Sequence, residues 1–553
     1  MTGSEALARG AAEEGVQLVA GCPVPPIAAL LDAAEREAVL AERTPTGKVA
    51  LEVAMGACLA GARAVAALPG LAAGAEPLRA MTCVGAAGLV VVAIDDPGLA
   101  ASCVETDSRV LARALELPCV EPSDARECRE HLAAALELSE LWDTPVVLRL
   151  TARTALGARA VPIGTATAAR AAGLRRGRER AVISLEQGLR LRVRSEERRA
   201  QLAAHGADSP LNRVELRSAE LGVITSGAAY HHVREALPDA SVLKLGLSFP
   251  LPTELVRDFA RRVEEVVVVE ELEPVVESEL RALGIACRGK DRLPRTGELG
   301  PDLLARALRG APVARRREDV PPRPPEACAG CPQRAVLQAL KRLHVSVAGE
   351  LGCSVLGAEA PLGVVDRAIG AGSAAAVARG AEAVLGERIR GRQVALMGES
   401  ALVRGGAPAL AHAVASAGGG TVVVVADGES ATRASASVDV AALARALGAR
   451  RVREVDALDL ATLERALREE LAAPELSVVI ARGRCPVAEP EPRPASGVGA
   501  PRCNRCGACL RLGCPALSEG EEAMEIDAGL CAGCGLCAQV CRAGAISSAQ
   551  ELP

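Results

Sequence analysis

Aromatic side chains are almost missing from this sequence, with one Trp, one Tyr and two Phe in 553 residues. That scarcity excludes the stacking platforms on which single-stranded nucleic acid is held, and it requires cores built from aliphatic residues and alanine. A basic field is missing too. The formal net charge is -5 with both signs interspersed, so neither a nucleic-acid footprint nor a polybasic membrane patch is expected. Long apolar runs are also lacking: "AAGLVVVAI" and "TVVVVA" have the length of strands and fall far short of a bilayer span. The opening residues "MTGSEALARGAAEEG" carry acids and read as an amphipathic helix, not a signal peptide. These absences point to a cytoplasmic protein with no membrane and no nucleic acid among its partners.

What is present is an alternation of helical patterns and short β-branched runs. From Glu5 to about Arg153 the strand-like runs are "VQLVAG", "ARAVAAL", "GLVVVAIDD" and "TPVVLRL", the pattern of a parallel sheet covered by helices on both faces. Residues 154 to about 215 are Arg-rich and read as an irregular connection. A second α/β unit follows from "LGVITSG", and a Pro/Arg-rich linker at 312–325 marks a boundary. A third unit spans about 328 to 485, with strands expected near 394–397, 421–426 and 477–481. A Pro-rich tether at 485–502 then leads to a small cysteine-rich end.

Eight of the 19 cysteines lie between Cys503 and Cys541. The order is Cys503-x2-Cys506-x2-Cys509-x4-Cys514-Pro, then Cys531-x2-Cys534-x2-Cys537-x3-Cys541. Tandem runs of this kind are the two-cluster ferredoxin pattern, with one extra residue before Cys514. Three thiolates of one tight loop reach three irons of a cubane, and the fourth comes from the other run. One [4Fe–4S] cluster is therefore assigned to Cys503, Cys506, Cys509 and Cys541. The second is assigned to Cys531, Cys534, Cys537 and Cys514. Structural zinc is the alternative, although the doubled spacing suits clusters better. Gly507, Gly533 and Gly535 allow close backbone approach, and amides near the sulfurs tune the potential. Two adjacent clusters make an electron wire, so the remainder is expected to be a redox partner.

The segments "LGVITSGAAYHHVREALPDASVLKLGLSFPLP", "VVVVEELEPVVE", "CAGCPQRAVLQALK" and "GELGCSVLG", with the cysteine-rich tail, resemble the alpha subunit of indolepyruvate:ferredoxin oxidoreductase. That family is a thiamine-diphosphate-dependent branch of the 2-oxoacid:ferredoxin oxidoreductases. "KVALEVAMGACLAGARAV", "DDPGLAASCVETDSR", "EPSDARECREHL" and "TPVVLRLTAR" carry the resemblance through the first domain. It implies an α/β architecture with a pyrimidine-binding thiamine domain (1–160) and a linker with a transketolase-C-like domain (161–315). A diphosphate-binding thiamine domain (316–490) and a small α+β two-cluster ferredoxin module (491–553) complete it. The implied chemistry is oxidative decarboxylation of aryl-2-oxoacids to acyl-CoA, with two [4Fe–4S] clusters, thiamine diphosphate and Mg²⁺ as cofactors. The implied partners are a smaller beta-type subunit and a soluble ferredoxin, with CoA and a 2-oxoacid as substrates.

Several positions depart from the family pattern. The glutamate that activates the aminopyrimidine stands just before "KVALEVA", and here that place is Gly47; loss of such an acid/base group typically costs on the order of 10²–10⁴ in rate. Glu52 lies about the opposite way round a helix. The magnesium-binding Asp of Gly-Asp-Ser is Glu399, followed by Ser400, and the later Asn falls on Gly428, flanked by Asp427 and Glu429. Pro25 replaces a Thr near the substrate carboxylate, and Gln333 replaces a His. Arg109 in "TDSR" is retained as a candidate for the substrate carboxylate, with a solvated helix arginine as the alternative. Cys328, Cys331 and Cys353 are retained and read as reduced core thiols, with a structural Cys pair or zinc as the alternative. His231 and His232 have no partner acid placed by the sequence. "GAGSAAAVARG" (370–380) reads as tight helix–strand packing. Three functions follow: an active decarboxylating oxidoreductase, an electron-transfer or scaffold subunit with a retired or repurposed thiamine site, or a subunit taking another ligand in the old cleft.

Overall fold

Valine-rich and alanine-rich runs become buried parallel strands because small and β-branched side chains fill both faces of a covered sheet. The computed structural model describes the chain except for residues 101, 103, 169–187, 310–325, 417–418, 427–437, 488–492 and 549–553. The chain divides into two compact units, Met1–Arg317 and Glu318–Pro553.

In the first unit, β1 (Val16–Gly21), β2 (Leu40–Arg43), β3 (Arg63–Leu68), β4 (Leu89–Asp95), β5 (Cys119–Val120) and β6 (Val146–Thr151) are mutually parallel. A four-stranded sheet follows, formed by β7 (Arg213–Glu215), β8 (Leu221–Ser226), β9 (Ser241–Leu245) and β11 (Glu265–Val269) in the order β11-β8-β9-β7. Between β9 and β11, β10 (Leu247–Phe249) leaves this sheet and pairs antiparallel with β5. The first sheet thus reads β10-β5-β6-β4-β3-β1-β2. The stretch assigned to the second domain therefore contributes a strand to the first. The first helix, Gly3–Glu13, begins with a reciprocal capping box between Thr2 and Glu5.

The expected irregular connection is corrected by a 21-residue helix, Gly188–Asp208. Its buried face is narrow, only Ser195, Arg198, Leu202 and Gly206, at helical spacing but with a single large apolar residue. An Arg-rich solvent face hid that stripe.

In the second unit, β12 (Ser346–Ala348), β13 (Val365–Arg367), β14 (Gln393–Gly398), β15 (Thr421–Ala426), β16 (Arg451–Asp456) and β17 (Ser477–Arg482) form an all-parallel sheet in the order β13-β12-β14-β15-β17-β16. The cysteine-rich end adds two small antiparallel pairs. These are β18 (Ser496–Val498) with β21 (Ile546–Ser548), and β19 (Leu517–Glu519) with β20 (Met524–Ile526). Among the described residues no helix is long and apolar enough to cross a membrane.

Candidate functional site

The interleaving of the two cysteine runs produces two separate cavities. Cys503, Cys506, Cys509 and Cys541 line one, with an empty volume of about 310 Å³ walled by Val498, Met524 and Ile546. Cys514, Cys531, Cys534 and Cys537 line the other, of about 380 Å³, walled by Leu512, Leu517, Ile526 and Leu536. Backbone amides point at the sulfurs: Ala545 N–H reaches Cys541 Sγ at 3.3 Å, and Ser496 and Gly533 N–H each reach Cys531 Sγ at 3.4 Å. Gly533, at φ +63°, is required there because a Cβ would stand 2.5 Å from the Pro494 carbonyl oxygen. Among the described residues no three His, Cys, Asp or Glu side chains converge on a point that one metal ion could occupy. Each quartet instead surrounds a volume.

The second cavity is also walled by Ala329, Gly330 and Arg334 of the α/β domain. Arg334 is 1% exposed and donates to the carbonyl oxygens of Leu512 (2.6 Å) and Gly513 near Cys514, and of Ala327 and Cys328 (3.3 Å). Sequence reasoning missed this arginine, whose only signal was its place in "CPQR". Of the neighbouring thiols only Cys331 is buried, while Cys328 and Cys353 are exposed. That corrects the reading of all three as core residues. Burial, with Cys353 and Cys328 nearby, pushes the Cys331 thiol up to about 12.

In the first unit, Gly47 is the first residue of the helix Gly47–Leu59, capped by Thr46, whose hydroxyl accepts from Val49 N–H at 3.1 Å. A Cβ on Gly47 would stand 2.8 Å from Ala73 Cβ and 2.9 Å from Leu68 Cδ2. The position has neither an acid nor room for one. Glu52 is half exposed and lies 3.8 Å from Lys48. Thiamine activation as the family performs it does not fit these residues.

Arg109 is expected to be open to a substrate carboxylate, yet it is 2% exposed. Its guanidinium binds Asp107 at 2.6 Å and Glu270 at 2.8 Å, and donates to the carbonyl oxygens of Glu271 (2.6 Å) and Glu273 (3.1 Å). Burial opposes its charge, but Asp107 and Glu270 keep it protonated well above the usual arginine range. The carboxylates it meets are the protein's own. Close by, Arg149 bridges Asp95 at 2.8 Å and Glu121 at 3.0 Å.

A further cluster was invisible in the sequence. His231 Nε2 lies 3.0 Å from Asp124 Oδ2, which supplies the missing partner acid. Lys244, 2% exposed, pairs with Glu127 and donates to Ser123 Oγ at 3.0 Å. Burial drives the Lys244 ammonium below its usual range in spite of Glu127. Burial alone would raise Glu127, but Lys244 and His131 hold it down at about 2. In the second unit, Glu399 and Ser400 open the short helix Glu399–Ala401 at the carboxyl end of β14, both half-buried. Asp427, Gly428 and Glu429 lie outside the described residues.

Comparisons with known proteins bear on the cysteine-rich end and on the chain as a whole. Residues 524–547 match the 4Fe-4S binding domain family. The chain is similar to the indolepyruvate oxidoreductase subunit IorA of Methanothermobacter marburgensis, at 31% identity over 99% of this chain and 96% of that protein. The IorA subunits of Archaeoglobus fulgidus and Pyrococcus horikoshii are each 30% identical, over 100% of this chain and 97% of theirs. Among solved structures, a 2-oxoglutarate:ferredoxin oxidoreductase from Magnetococcus marinus aligns with 56% of this chain and 64% of its own, at 17% identity and a TM-score of 0.46. End-to-end similarity at this level, joined to the cysteine-lined cavities, places the chain in the indolepyruvate:ferredoxin oxidoreductase alpha-subunit family, as an iron–sulfur oxidoreductase related to IorA.

Proposed function

We propose that this chain is the iron–sulfur subunit of a cytoplasmic 2-oxoacid oxidoreductase, carrying two [4Fe–4S] clusters that pass electrons to a soluble ferredoxin. The observation that supports it is the pair of cavities, each lined by one quartet of cysteines. When bound, the clusters supply one-electron transfer. The chain's own groups do the rest: eight thiolates hold the irons, amides of Ser496, Gly533 and Ala545 stabilise charge on the sulfurs, and aliphatic walls exclude water. The relatives' names point to indolepyruvate, hence an aryl-2-oxoacid and CoA as reactants, in an assembly with a smaller beta-type subunit.

One observation favours a second reading of the same chain. The filled space at Gly47 removes the group that would activate thiamine, so the chain serves as an electron-transfer or scaffold subunit and the decarboxylation is done elsewhere in the assembly.

Anaerobic reconstitution with iron and sulfide tests the cluster assignment. About eight irons per chain are expected. Cys514→Ser should disturb the cluster of Cys531, Cys534 and Cys537, and Cys541→Ser the cluster of Cys503, Cys506 and Cys509. Each should change one of two paramagnetic signals after dithionite reduction. About two irons per chain and no inorganic sulfide would overturn the reading in favour of rubredoxin-like sites, and zinc in place of iron, with no reducible signal, in favour of zinc sites. Reduction of the clusters by indolepyruvate and CoA in the isolated chain would return the decarboxylation to this subunit.

A further inference from the structure

The two cysteine-lined cavities have different neighbours. Ala329, Gly330 and Arg334 of the α/β domain help to wall the cavity of Cys514, Cys531, Cys534 and Cys537. The contact is tight: a Cβ on Gly330 would stand 2.8 Å from Ala532 Cβ and 3.9 Å from Cys534 Cβ. The cavity of Cys503, Cys506, Cys509 and Cys541 is lined instead by residues of the cysteine-rich end alone, between Val498 and Ile546. Cys506 is the one exposed cysteine of the eight. One quartet abuts the α/β domain and the other meets solvent.

Charge follows the same division. Three cysteines of the outward quartet have an arginine beside them in the chain: Arg502-Cys503, Arg505-Cys506 and Cys541-Arg542. The residues flanking Cys514, Cys531, Cys534 and Cys537 are Gly, Pro, Leu and Ala, none of them charged. Arg502, Arg505 and Arg542 are all exposed. Arg505 is tied to Glu519 of β19 at 3.0 Å, whereas Arg502 and Arg542 make no ion pair among the described residues. The hairpin of β19 and β20 carries the opposite sign, with Glu519, Glu521, Glu522 and Glu525 exposed. A surface with an arginine side and a glutamate side holds a charged partner in one orientation. A cleft also reaches Cys534, but its lining balances Arg482, Arg484 and Arg493 against Glu454, Asp456 and Asp459, with Arg482 paired to Glu454. Balanced signs give little field to steer a charged partner.

We infer that the surface carrying Arg502, Arg505 and Arg542 is the docking site of a small acidic one-electron carrier protein, seated at the exposed Cys506 quartet and not at the cleft beside Cys534. The step it serves passes one electron from the reduced chain to the oxidised carrier, with no bond made or broken and no proton moved. The arginines act on encounter and orientation, so their effect is electrostatic and falls as salt is raised. The inference rests on the reading of the chain as an iron–sulfur electron carrier and adds where its acceptor sits.

Anaerobic titration of the cluster-loaded full chain with a purified acidic ferredoxin tests it without turnover, by calorimetry and by amide-exchange footprinting. Protection should fall on residues 502–507 and 541–544 and not on 482–484. Arg502→Glu combined with Arg542→Glu should weaken binding about tenfold at low ionic strength, and the difference should close as salt is raised. Arg502→Lys combined with Arg542→Lys keeps the charge and should bind as wild type does. Unchanged affinity in the double Glu variant would overturn the proposal. So would protection confined to the cleft at Cys534, or no saturable binding by the loaded wild type. If the double Glu variant loses its clusters, Arg502→Gln combined with Arg542→Gln should weaken binding about threefold, and an unchanged affinity there counts as the same failure. Iron and sulfide content of the same samples separates the two ideas. A wild-type chain that holds no clusters strikes the electron-carrier reading, whereas a loaded chain that takes the ferredoxin elsewhere strikes only this inference.

Discussion

The guanidinium of Arg334 donates to the main-chain oxygens of Leu512, at 2.6 Å, and of Gly513, joining the helix Pro332–Leu343 to the loop that brings Cys514 to its cavity. A buried arginine that also holds Ala327 and Cys328 satisfies four carbonyls at once. Arg334→Met should leave those carbonyls without a donor and cost about 3 kcal/mol, hydrogen bonds to charged groups being the stronger class. The loss should be local. Iron chelators should strip the quartet of Cys514, Cys531, Cys534 and Cys537 faster, with the quartet of Cys503 unaffected, and amide exchange should rise around Leu512. Arg334→Lys should recover only part, because a lysine cannot reproduce the planar fork.

At Gly47 the constraint is volume. Restoring the family's acid by Gly47→Glu would push side-chain atoms against Ala73 and Leu68, which already stand 2.8 and 2.9 Å from the Cβ position. Overpacking of this kind costs about 1–3 kcal/mol before the carboxylate is buried, and burial without a partner adds to it. The melting temperature should fall and thiamine turnover should not appear. A stable, thiamine-active Gly47→Glu chain would show that Ala73 and Leu68 yield readily.

Lys244 and Glu127 hold β9 against the helix Ala125–Trp142 through a buried pair. Lys244→Met alone should destabilise by about 1.5–3 kcal/mol, because Glu127 loses its cationic partner while keeping the hydrogen bonds from Ser123 N–H and Oγ. Adding Glu127→Gln should recover much of that loss, since replacing both charges removes the desolvation cost together with the attraction. A double-mutant cycle followed by urea unfolding reads the coupling directly.

How much of this was legible depended on distance along the chain. That the eight cysteines would gather in two quartets could be read because their spacing is local: three of each quartet fall on one loop and only the fourth is remote. Gly47 could be read as a missing acid, but not as a filled space, since Ala73 and Leu68 arrive from another strand and turn. Arg109 looked open because Glu270, its second carboxylate, follows a strand in a different sheet. The helix Gly188–Asp208 was hidden by an Arg-rich face over a stripe with one leucine. β10 was hidden for a related reason: "LSF" reads as a strand, yet nothing local says that it pairs with Cys119 and Val120 in the first sheet. Periodicity reports which side chains are apolar, and long-range pairing decides what polar ones meet.

The last expectation concerns acid. His131 is 6% exposed, and burial lowers its imidazole from 6.5 to about 4; Glu127 works the other way and Lys244 reinforces the drop, with Glu130 and Asp124 also facing it. A histidine depressed in the folded state binds its proton more readily when unfolded. The unfolded chain therefore gains protons first as the pH falls. The stability that neutral His131 contributes is complete above about pH 6.5 and is lost progressively towards pH 4. A shift of this size corresponds to on the order of 3 kcal/mol across that window. Glu127, held at about 2, loses its contribution only at lower pH, from its ordinary carboxylate range downwards. Urea unfolding of wild type between pH 7 and about pH 4 should show a falling midpoint, and His131→Gln should flatten that fall while lowering stability at pH 7. An unchanged slope in His131→Gln would assign the acid sensitivity to the buried carboxylates instead.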